Sequence, residues 1–153
     1  MAVGLMEVLL VKAKSLQNTD FFGGIDPYVQ IQYKNQEHKS SVAHEQGRNP
    51  EWNERFTFRV EYPGENEYKL TLKIMDKDIF TADDFLGQAT IYLNDLLALG
   101  VENGSAELHP CKYRVVRADQ TYCGEIQVGV TFNRKEETEY DDGEIGGWKE
   151  SQY

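Results

Sequence analysis

The chain has 153 residues, of which 40% are hydrophobic and 12% aromatic, and its formal net charge is −10. This length suits one domain that buries about two thirds of its unfolded surface around a single core. The longest apolar run falls far short of the roughly 20 residues that a membrane-spanning helix needs. The negative charge argues against direct nucleic acid binding, and it would repel an anionic lipid surface unless something cationic intervenes.

The first segment of the chain predicts a strand and not a secretory signal. Glu7 interrupts its apolar run, and no small-residue cleavage site follows. We therefore expect a cytoplasmic protein. Cys111 and Cys123 could form a disulfide across neighbouring strands, but a reducing cytosol favours two buried free thiols.

Alternation of apolar and polar residues recurs through most of the chain and predicts β-strands. The apolar sets are Met6, Val8 and Leu10; Val29, Ile31 and Tyr33; Phe56, Phe58 and Val60; Leu70, Leu72 and Ile74; Ala89, Ile91 and Leu93; and Ile126, Val128, Val130 and Phe132. Weaker strands near Glu37–Val42 and Glu107–Val116 bring the number to about eight. This pattern is typical of an all-β fold, an eight-stranded antiparallel Greek-key β-sandwich.

Two segments depart from the strand pattern. The sequence LNDLLALG, residues 93–100, predicts one short connecting helix, with Asn94 as its N-cap and Gly100 as its terminator. Residues 134–153 lose the alternation and gain acidic charge, so we expect a domain over residues 1–133 followed by a mostly disordered tail. The GGWK sequence of this tail is either a docking segment or a tryptophan in a flexible end.

Six of the ten aspartates fall in two short windows, 20–26 and 76–84, each at a junction between predicted strands. If these junctions lie at one end of the sandwich, five carboxylates converge: Asp20, Asp26, Asp76, Asp78 and Asp84. Either several of their pKa values rise or a hard cation sits between them, and all-oxygen ligation favours Ca²⁺ over Mg²⁺. A solvated charge cluster is the simpler alternative. A hydrolase with an Asp-x-Asp pair is a further one, but no general base or phosphate-cradling loop accompanies it.

Three segments in register resemble the signature of the C2 domain family over about residues 4–133. They are Asp20 with Asp26-Pro27-Tyr28-Val29, then Asn49-Pro50-x-Trp52-Asn53-Glu54-x-Phe56-x-Phe58, and Asp76-x-Asp78-x5-Asp84-Phe85-x-Gly87. The strand order resembles the permuted, type II topology of that family. The length and the tail further resemble small stand-alone plant C2 proteins described as elicitor-responsive.

The resemblance implies roles for particular residues. The five converging aspartates would coordinate Ca²⁺, with backbone carbonyls from Ile25 and Lys77. Four apolar residues at the loop tips would insert into the membrane interface: Phe21, Phe22, Ile79 and Phe80. The alternative for any one of these four is packing beneath the loops. We assign Phe85 and Leu86 to the core. Asp83 is either a sixth ligand or an exposed neighbour of the ligands, and we favour the exposed neighbour.

The predicted function is calcium-dependent, reversible binding to phospholipid membranes, with anionic headgroups preferred. The protein would be a monomeric calcium sensor or adaptor and not an enzyme, with a role in plant defence, and it would associate peripherally with the plasma membrane when calcium rises. The alternative is a protein- or RNA-interaction module in which calcium only stabilises the loops, with a partner bound through a sheet face or the tail. The net charge disfavours direct RNA binding.

Other basic residues give only weak signals. Lys34, Lys39 and His38 form a sparse basic patch opposed by Glu37, so no phosphoinositide specificity is predicted. The remaining two histidines, His44 and His109, lack the spacing of metal ligands and are expected at the surface.

Overall fold

The computed structural model describes residues 2–16, 25–44, 49–64 and 67–135. Eight strands and one helix follow one another in the chain: β1 (Ala2–Lys14), β2 (Pro27–Tyr33), β3 (Gln36–Lys39), β4 (Glu51–Tyr62), β5 (Lys69–Asp76), β6 (Asp84–Tyr92), α1 (Asn94–Asn103), β7 (Ser105–Val116) and β8 (Tyr122–Arg134). The predicted fold of eight strands and one short helix is confirmed.

All strand pairs are antiparallel, and the order of the strands is β3-β2-β5-β6-β7-β8-β1-β4. Only the Gln88–Val116 pair joins β6 to β7 in the register, so two four-stranded sheets meet along this seam. The last strand, β8, lies between β1 and β7. That position of the final strand is the permuted order expected of the type II topology.

The core lies between the inner faces of the two sheets, where the apolar sets of the sequence meet. Met6, Phe58 and Phe132 are fully buried in one sheet, and Ile31 and Ile74 are fully buried in the other. The intervening polar residues point outward because side chains alternate between the faces of a strand. Burial of each such apolar side chain contributes about 1.5–3 kcal/mol to folding.

Helix α1 differs from the prediction at both ends. Leu93, not Asn94, precedes the first turn, and no side chain caps the helix there. Gly100 is a buried residue within the helix, and the chain leaves the helix at Gly104, whose φ is 95°. The N–H of Gly104 donates to the carbonyl of Gly100 at 2.8 Å. The helix continues past Gly100 because this glycine lets the backbone approach the ring of Phe132.

The end of the last strand and the cysteines bear on two further expectations. Strand β8 runs to Arg134, and the N–H of Lys135 donates to the carbonyl of Val3 at 2.8 Å. The rest of the predicted tail, with its GGWK sequence, lies outside the described residues. Cys111 and Cys123 do not form a disulfide with each other, and of the two only Cys123 is buried. The prediction of a buried Cys111 was wrong because its position in β7 faces solvent.

One end of the sandwich gathers several strand ends, and we refer to it as the loop end. Strand β1 stops there at Lys14, opposite Glu125 near the start of β8. The segment between β3 and β4 bonds to both sheets at this end: the Ala43 N–H donates to the Pro27 carbonyl of β2 at 2.9 Å, and the Ser41 carbonyl accepts the Trp52 indole N–H of β4 at 3.0 Å.

Candidate functional site

The described candidate ligands lie at the loop end of the sheet β3-β2-β5-β6. Asp26 directly precedes β2, Asp76 is the last residue of β5, and Asp84 is the first residue of β6. These three strands are neighbours, with Pro27 paired to Asp76 and Asp76 paired to Asp84. Strand spacing of about 4.8 Å therefore places the three aspartates side by side. Asp20, together with the tip residues Phe21 and Phe22, lies outside the described residues.

Backbone hydrogen bonds fix Asp26 against the end of β5. The Asp26 N–H donates to Oδ1 of Asp76 at 2.9 Å, and the Lys77 N–H donates to the Asp26 carbonyl at 3.0 Å. Ile25, a predicted carbonyl ligand, is 3% exposed and anchors this stretch in the core. The sheet therefore sets the positions of Asp26 and Asp76, and these positions do not depend on the adjoining loops.

The electrostatics of the site centre on Asp76. Burial raises the pKa of its carboxyl above the usual value, and repulsion from Asp26, Asp84 and Asp78 raises it further. The hydrogen bond from the Asp26 N–H acts in the opposite direction. The imidazole of His44 lies beside the site, with Nδ1 at 3.8 Å from Oδ1 of Asp26, and it offsets the negative charge only when it is protonated. The negative charge of the site is therefore only weakly compensated by the protein.

The loop of residues 77–83 joins β5 to β6 and is folded around two carboxylates. Asp78 accepts hydrogen bonds at Oδ1 from the N–H groups of Phe80 (2.8 Å) and Thr81 (3.2 Å), and at Oδ2 from the Thr81 hydroxyl (2.8 Å). These bonds lower the pKa of Asp78. A carboxylate has about four lone-pair positions, so Asp78 retains acceptor capacity for a cation.

Asp83 has a structural role that the sequence did not reveal. Its Oδ1 accepts the Asp78 N–H at 3.0 Å, and its Oδ2 accepts the hydroxyl of Tyr28. The ammonium of Lys77 lies 3.8 Å from the same Oδ2. The backbone and hydroxyl bonds lower the pKa of Asp83. Our view of Asp83 as merely an exposed neighbour was wrong, because its side chain is only 20% exposed and braces the loop.

The apolar residues of this loop point into solvent. Ile79 is 82% exposed and Phe80 is 88% exposed, so neither packs beneath the loop. Phe85 is 41% exposed although we assigned it to the core, whereas Leu86 is buried as expected. A register shift explains this difference: Ile74 pairs with Gly87 and Met75 pairs with Phe85, so Leu86 is an extra residue in β6 that turns inward while Phe85 turns outward.

The donor set fits a hard cation in its chemistry, although not all of its members are described. Carboxylate and carbonyl oxygens are the ligands that Ca²⁺ takes in proteins. Within the described ranges, no three His, Cys, Asp or Glu side chains are gathered closely enough to enclose one metal ion. The predicted set also contains Asp20, which belongs to residues 17–24, outside the description.

Comparisons with known proteins agree with this arrangement. The family model described as C2 domain matches residues 4–108, which is more than half of the chain. The chain belongs to the C2 domain family. C2 domains in general bind calcium and phospholipid membranes, and the resemblance predicted from the sequence is confirmed.

Relatives of this C2 domain include a protein of nearly equal length. The 16 kDa phloem protein 1 of Arabidopsis thaliana is 50% identical over 154 residues, which cover 99% of each chain. A solved C2 domain-containing protein from an elicitor-responsive gene is 40% identical with a TM-score of 0.70, covering 90% of this chain and 95% of that chain. The calcium-bound C2A and C2B domains of extended synaptotagmin 2 are 25% identical with a TM-score of 0.63, covering 84% of this chain and 45% of that chain.

The concave face of this C2 domain carries a basic surface that the sequence did not predict. A depression of about 960 Å³ on β2, β5 and β6 is lined by Lys34, Lys69 and Lys73, with Glu67 at its side. The sequence pattern connected Lys34 only with residues nearby in the chain, because the pairing of β2 with β5 is a long-range contact.

Among the described residues, no helix has the length and apolarity to cross a membrane.

Proposed function

We propose that this C2 domain binds calcium at its loop end and then docks reversibly on phospholipid membranes, as a sensor or adaptor. The observation that carries the proposal is the convergence of Asp26, Asp76 and Asp84 at three adjacent strand ends, next to two exposed apolar residues, Ile79 and Phe80. Carboxylates prefer a charged or aqueous environment, and exposed apolar side chains prefer an apolar one. A membrane surface suits both when a cation links the carboxylates to the lipid headgroups and the apolar side chains enter the lipid.

The carboxylates of Asp20, Asp26, Asp76, Asp78 and Asp84 would hold the ion, with carbonyl oxygens from Ile25 and Lys77. Bound calcium supplies positive charge and coordination positions that lipid oxygens can fill. The chain itself contributes the placement: β2, β5 and β6 set the spacing of three carboxylates before any ion arrives. Asp83 and Tyr28 hold the backbone of Asp78 near them.

The balance of energies explains why the apolar tips need this electrostatic partner. Full burial of Ile79 or Phe80 would contribute about 1.5–3 kcal/mol each. Docking costs several kcal/mol of lost translational and rotational freedom, and the bare aspartates add repulsion from anionic headgroups. Two tips therefore do not suffice until the carboxylates are neutralised, which makes membrane binding depend on calcium.

In a cell, the protein would stay in the cytosol as a monomer at low calcium and associate peripherally with the plasma membrane when calcium rises. It would act as an adaptor and not as an enzyme. The elicitor-responsive gene of the solved relative favours a role in plant defence.

An interaction module remains the second candidate. It is favoured by the concave surface around Lys34, Lys69 and Lys73, which lies on a sheet face away from the aspartates. There a protein partner could bind while calcium only stabilises the loops. The net charge of −10 disfavours direct binding of nucleic acid.

The experiment that tests the proposal is co-sedimentation with vesicles of phosphatidylcholine, with and without phosphatidylserine, in EGTA and across a calcium titration. We expect binding to the phosphatidylserine vesicles only with calcium. The double variant Asp76→Asn/Asp78→Asn should lose this binding while its urea unfolding shows an intact fold. A matched variant, Asp95→Asn/Glu102→Gln, removes the same charge from exposed positions of α1 and should behave as the wild type.

The contrary outcome is equally clear. If the wild-type protein stays in the supernatant at millimolar calcium, the aspartates serve another ligand or only the structure of the loops. A protein partner captured equally in EGTA and in calcium would then support the interaction module.

A further inference from the structure

A second groove opens next to the loop end, at the seam where β6 and β7 share their single pair. Its volume is about 510 Å³, and its lining includes Phe85, Gln88, Arg114, Arg117 and Gln120. Gln88–Val116 is the single residue pair between β6 and β7 in the described chain. Elsewhere along this seam the two sheets are not bonded to each other, and the groove lies between them. Arg114 and Arg117 have no part in the calcium site proposed above.

Local contacts hold both arginines at the groove. The guanidinium carbon of Arg114 lies 4.9 Å from the centre of the Tyr122 ring, in a cation–π contact. The Nε–H of Arg117 donates to the Thr121 hydroxyl at 3.1 Å, and its backbone N–H donates to the Thr121 carbonyl at 2.8 Å. A guanidinium has five N–H donors, so most donors of both side chains remain for a ligand.

The nearby carboxylates are already engaged elsewhere. Glu125, which faces Arg114 across the β7–β8 pair, forms an ion pair with Lys112 at 3.5 Å. Oδ1 of Asp119 accepts the hydroxyl and the N–H of Thr121, and these bonds lower the pKa of Asp119 more than the nearby charge of Arg117 does. Across the described part of the chain, neither arginine forms an ion pair.

The groove and the apolar tips belong to the same end of the molecule. Phe85, which lines the groove and is 41% exposed, directly follows the candidate ligand Asp84. The turn of residues 117–121 joins β7 to β8 at this end, because the start of β8 pairs with the end of β1. A flat surface that meets Ile79 and Phe80 therefore also comes near Arg114 and Arg117.

We propose that Arg114 and Arg117 bind the phosphate group of an anionic lipid in the membrane on which the loop end docks. Guanidinium groups match phosphate oxygens with paired N–H donors, and Phe85 offers an apolar wall for the lipid backbone. The inference rests on the proposed function and adds a contact that needs no metal ion. A lipid suits the groove better than an acidic peptide, because the exposed Phe85 of the groove lies at the same end as Ile79 and Phe80, the apolar tips that would enter the same membrane.

The test compares three proteins: the wild type, Arg114→Gln/Arg117→Gln, and a matched control, Arg55→Gln/Arg59→Gln. The control removes the same charge from β4, where both arginines are paired with glutamates. Binding to phosphatidylserine-containing vesicles is measured in calcium, and calcium affinity is measured by calorimetry without lipid. Separately, inorganic phosphate and a short glutamate peptide are titrated in EGTA while the Nε–H resonances of the arginines are followed by NMR.

We expect Arg114→Gln/Arg117→Gln to weaken vesicle binding by roughly ten- to thirtyfold, since each arginine near an anionic surface contributes a factor of about five. Its calcium affinity without lipid should equal that of the wild type. The control should lose less than about threefold, because charges beyond a Debye length of about 8–10 Å from the membrane are screened. Phosphate should shift the resonances of Arg114 and Arg117 and not those of Arg55 and Arg59.

Several outcomes would overturn the inference. Equal weakening in the two double variants would show diffuse charge attraction in place of a site. Resonances that respond to the glutamate peptide and not to phosphate would assign the groove to an acidic protein. If the wild type does not bind vesicles in calcium, the proposed function fails. A phosphate shift observed in EGTA would then show that the groove binds an anion that is not part of a membrane lipid.

Discussion

The hydroxyl of Tyr28 donates a hydrogen bond to Oδ2 of Asp83, which joins the start of β2 to the end of the 77–83 loop. Burial and the contact with Asp83 raise the pKa of Tyr28 to about 12, so the hydroxyl keeps its proton at physiological pH. The other oxygen of Asp83 accepts the Asp78 N–H at 3.0 Å. A buried phenol thus positions the backbone of a candidate calcium ligand.

Replacing Tyr28 with Phe removes this bond and should loosen the 77–83 loop without disturbing the core. We expect faster hydrogen exchange at the Asp78 amide and a calcium affinity lowered several-fold, because Asp78 would be less well placed. Exchange measured by NMR and calorimetric calcium titration check the two effects.

Tyr33→Phe is the matched control for that change. Tyr33 is 1% exposed, and its hydroxyl has no hydrogen-bond partner among the described residues. Its removal should leave calcium binding unchanged and should not destabilise the fold, since a buried hydroxyl without a partner carries a desolvation cost. A similar loss of calcium affinity in both variants would contradict the role assigned to Tyr28.

The exposed tips give a second prediction. Ile79→Ala/Phe80→Ala should weaken calcium-dependent vesicle binding by at least about tenfold, which corresponds to about 1.4 kcal/mol of lost apolar insertion. Its unfolding free energy should change by less than about 0.5 kcal/mol, because both side chains are exposed. Co-sedimentation and urea unfolding measure the two quantities.

Tyr92→Ala/Leu99→Ala is the control for the tips, since it also removes two exposed apolar side chains. Tyr92 ends β6, the strand that begins at Asp84, so it lies at the opposite end of the sandwich. This variant should bind vesicles as the wild type does. Equal weakening in both variants would indicate nonspecific hydrophobic adsorption.

A third prediction concerns the stability of the calcium-free protein. The pKa of Asp76 is raised in the folded state, mainly by burial. Its favourable contribution is therefore present below the unfolded pKa and is lost as the pH rises through the folded pKa. Asp76→Asn should stabilise the calcium-free protein at neutral pH by up to about 1 kcal/mol, a small value because solvent screens the repulsion.

The sign of this effect can be checked by urea unfolding in EGTA across acid and neutral pH. The difference between Asp76→Asn and wild type should vanish at acid pH, where Asp76 is protonated in both states. Asp83→Asn should behave in the opposite way, because the pKa of Asp83 is lowered and its stabilisation is lost as the pH falls. Destabilisation by Asp76→Asn at neutral pH would show that its hydrogen bond from Asp26 outweighs burial and repulsion.

The fourth prediction tests the packing of α1. A Cβ at Gly100 would lie 2.3 Å from Cδ2 of Phe132, a fully buried ring. Gly100→Ala should therefore destabilise the fold by about 1–3 kcal/mol, even though alanine is the better helix former by about 1 kcal/mol. Leu99→Ala, one residue earlier and exposed, should change stability by less than about 0.5 kcal/mol. A stabilised Gly100→Ala variant would mean that the ring moves at little cost.

The sequence predicted the strands well because their apolar alternation is a local signal that directly reflects burial. It also placed Asp26, Asp76 and Asp84 at strand junctions, and antiparallel pairing made their meeting at one end expected. The resemblance to the C2 family added the strand order, which alternation alone does not specify.

Long-range contacts account for most of what the sequence did not predict. Gly100 was predicted to end the helix because glycine is a common terminator. Its contact is instead with Phe132, 32 residues later, and no local pattern reveals that contact. The bond between Tyr28 and Asp83 spans 55 residues. Phe85 was assigned to the core because it lies where the chain re-enters a strand, but a register shift at Leu86 turns Phe85 outward. The alternation of the sequence does not reveal this shift.

The candidate ligands at the strand ends and the apolar tips in the loop belong to different elements, and this separation affects how such a protein can diversify. Three of the carboxylates are fixed by the ladder of β2, β5 and β6, whereas Ile79 and Phe80 belong to the connecting loop. If the proposed function holds, substitutions at the tips would change which membranes are preferred while leaving the threshold calcium concentration nearly constant. Sensitivity to the stimulus and choice of destination would then be traits that can be inherited and selected separately.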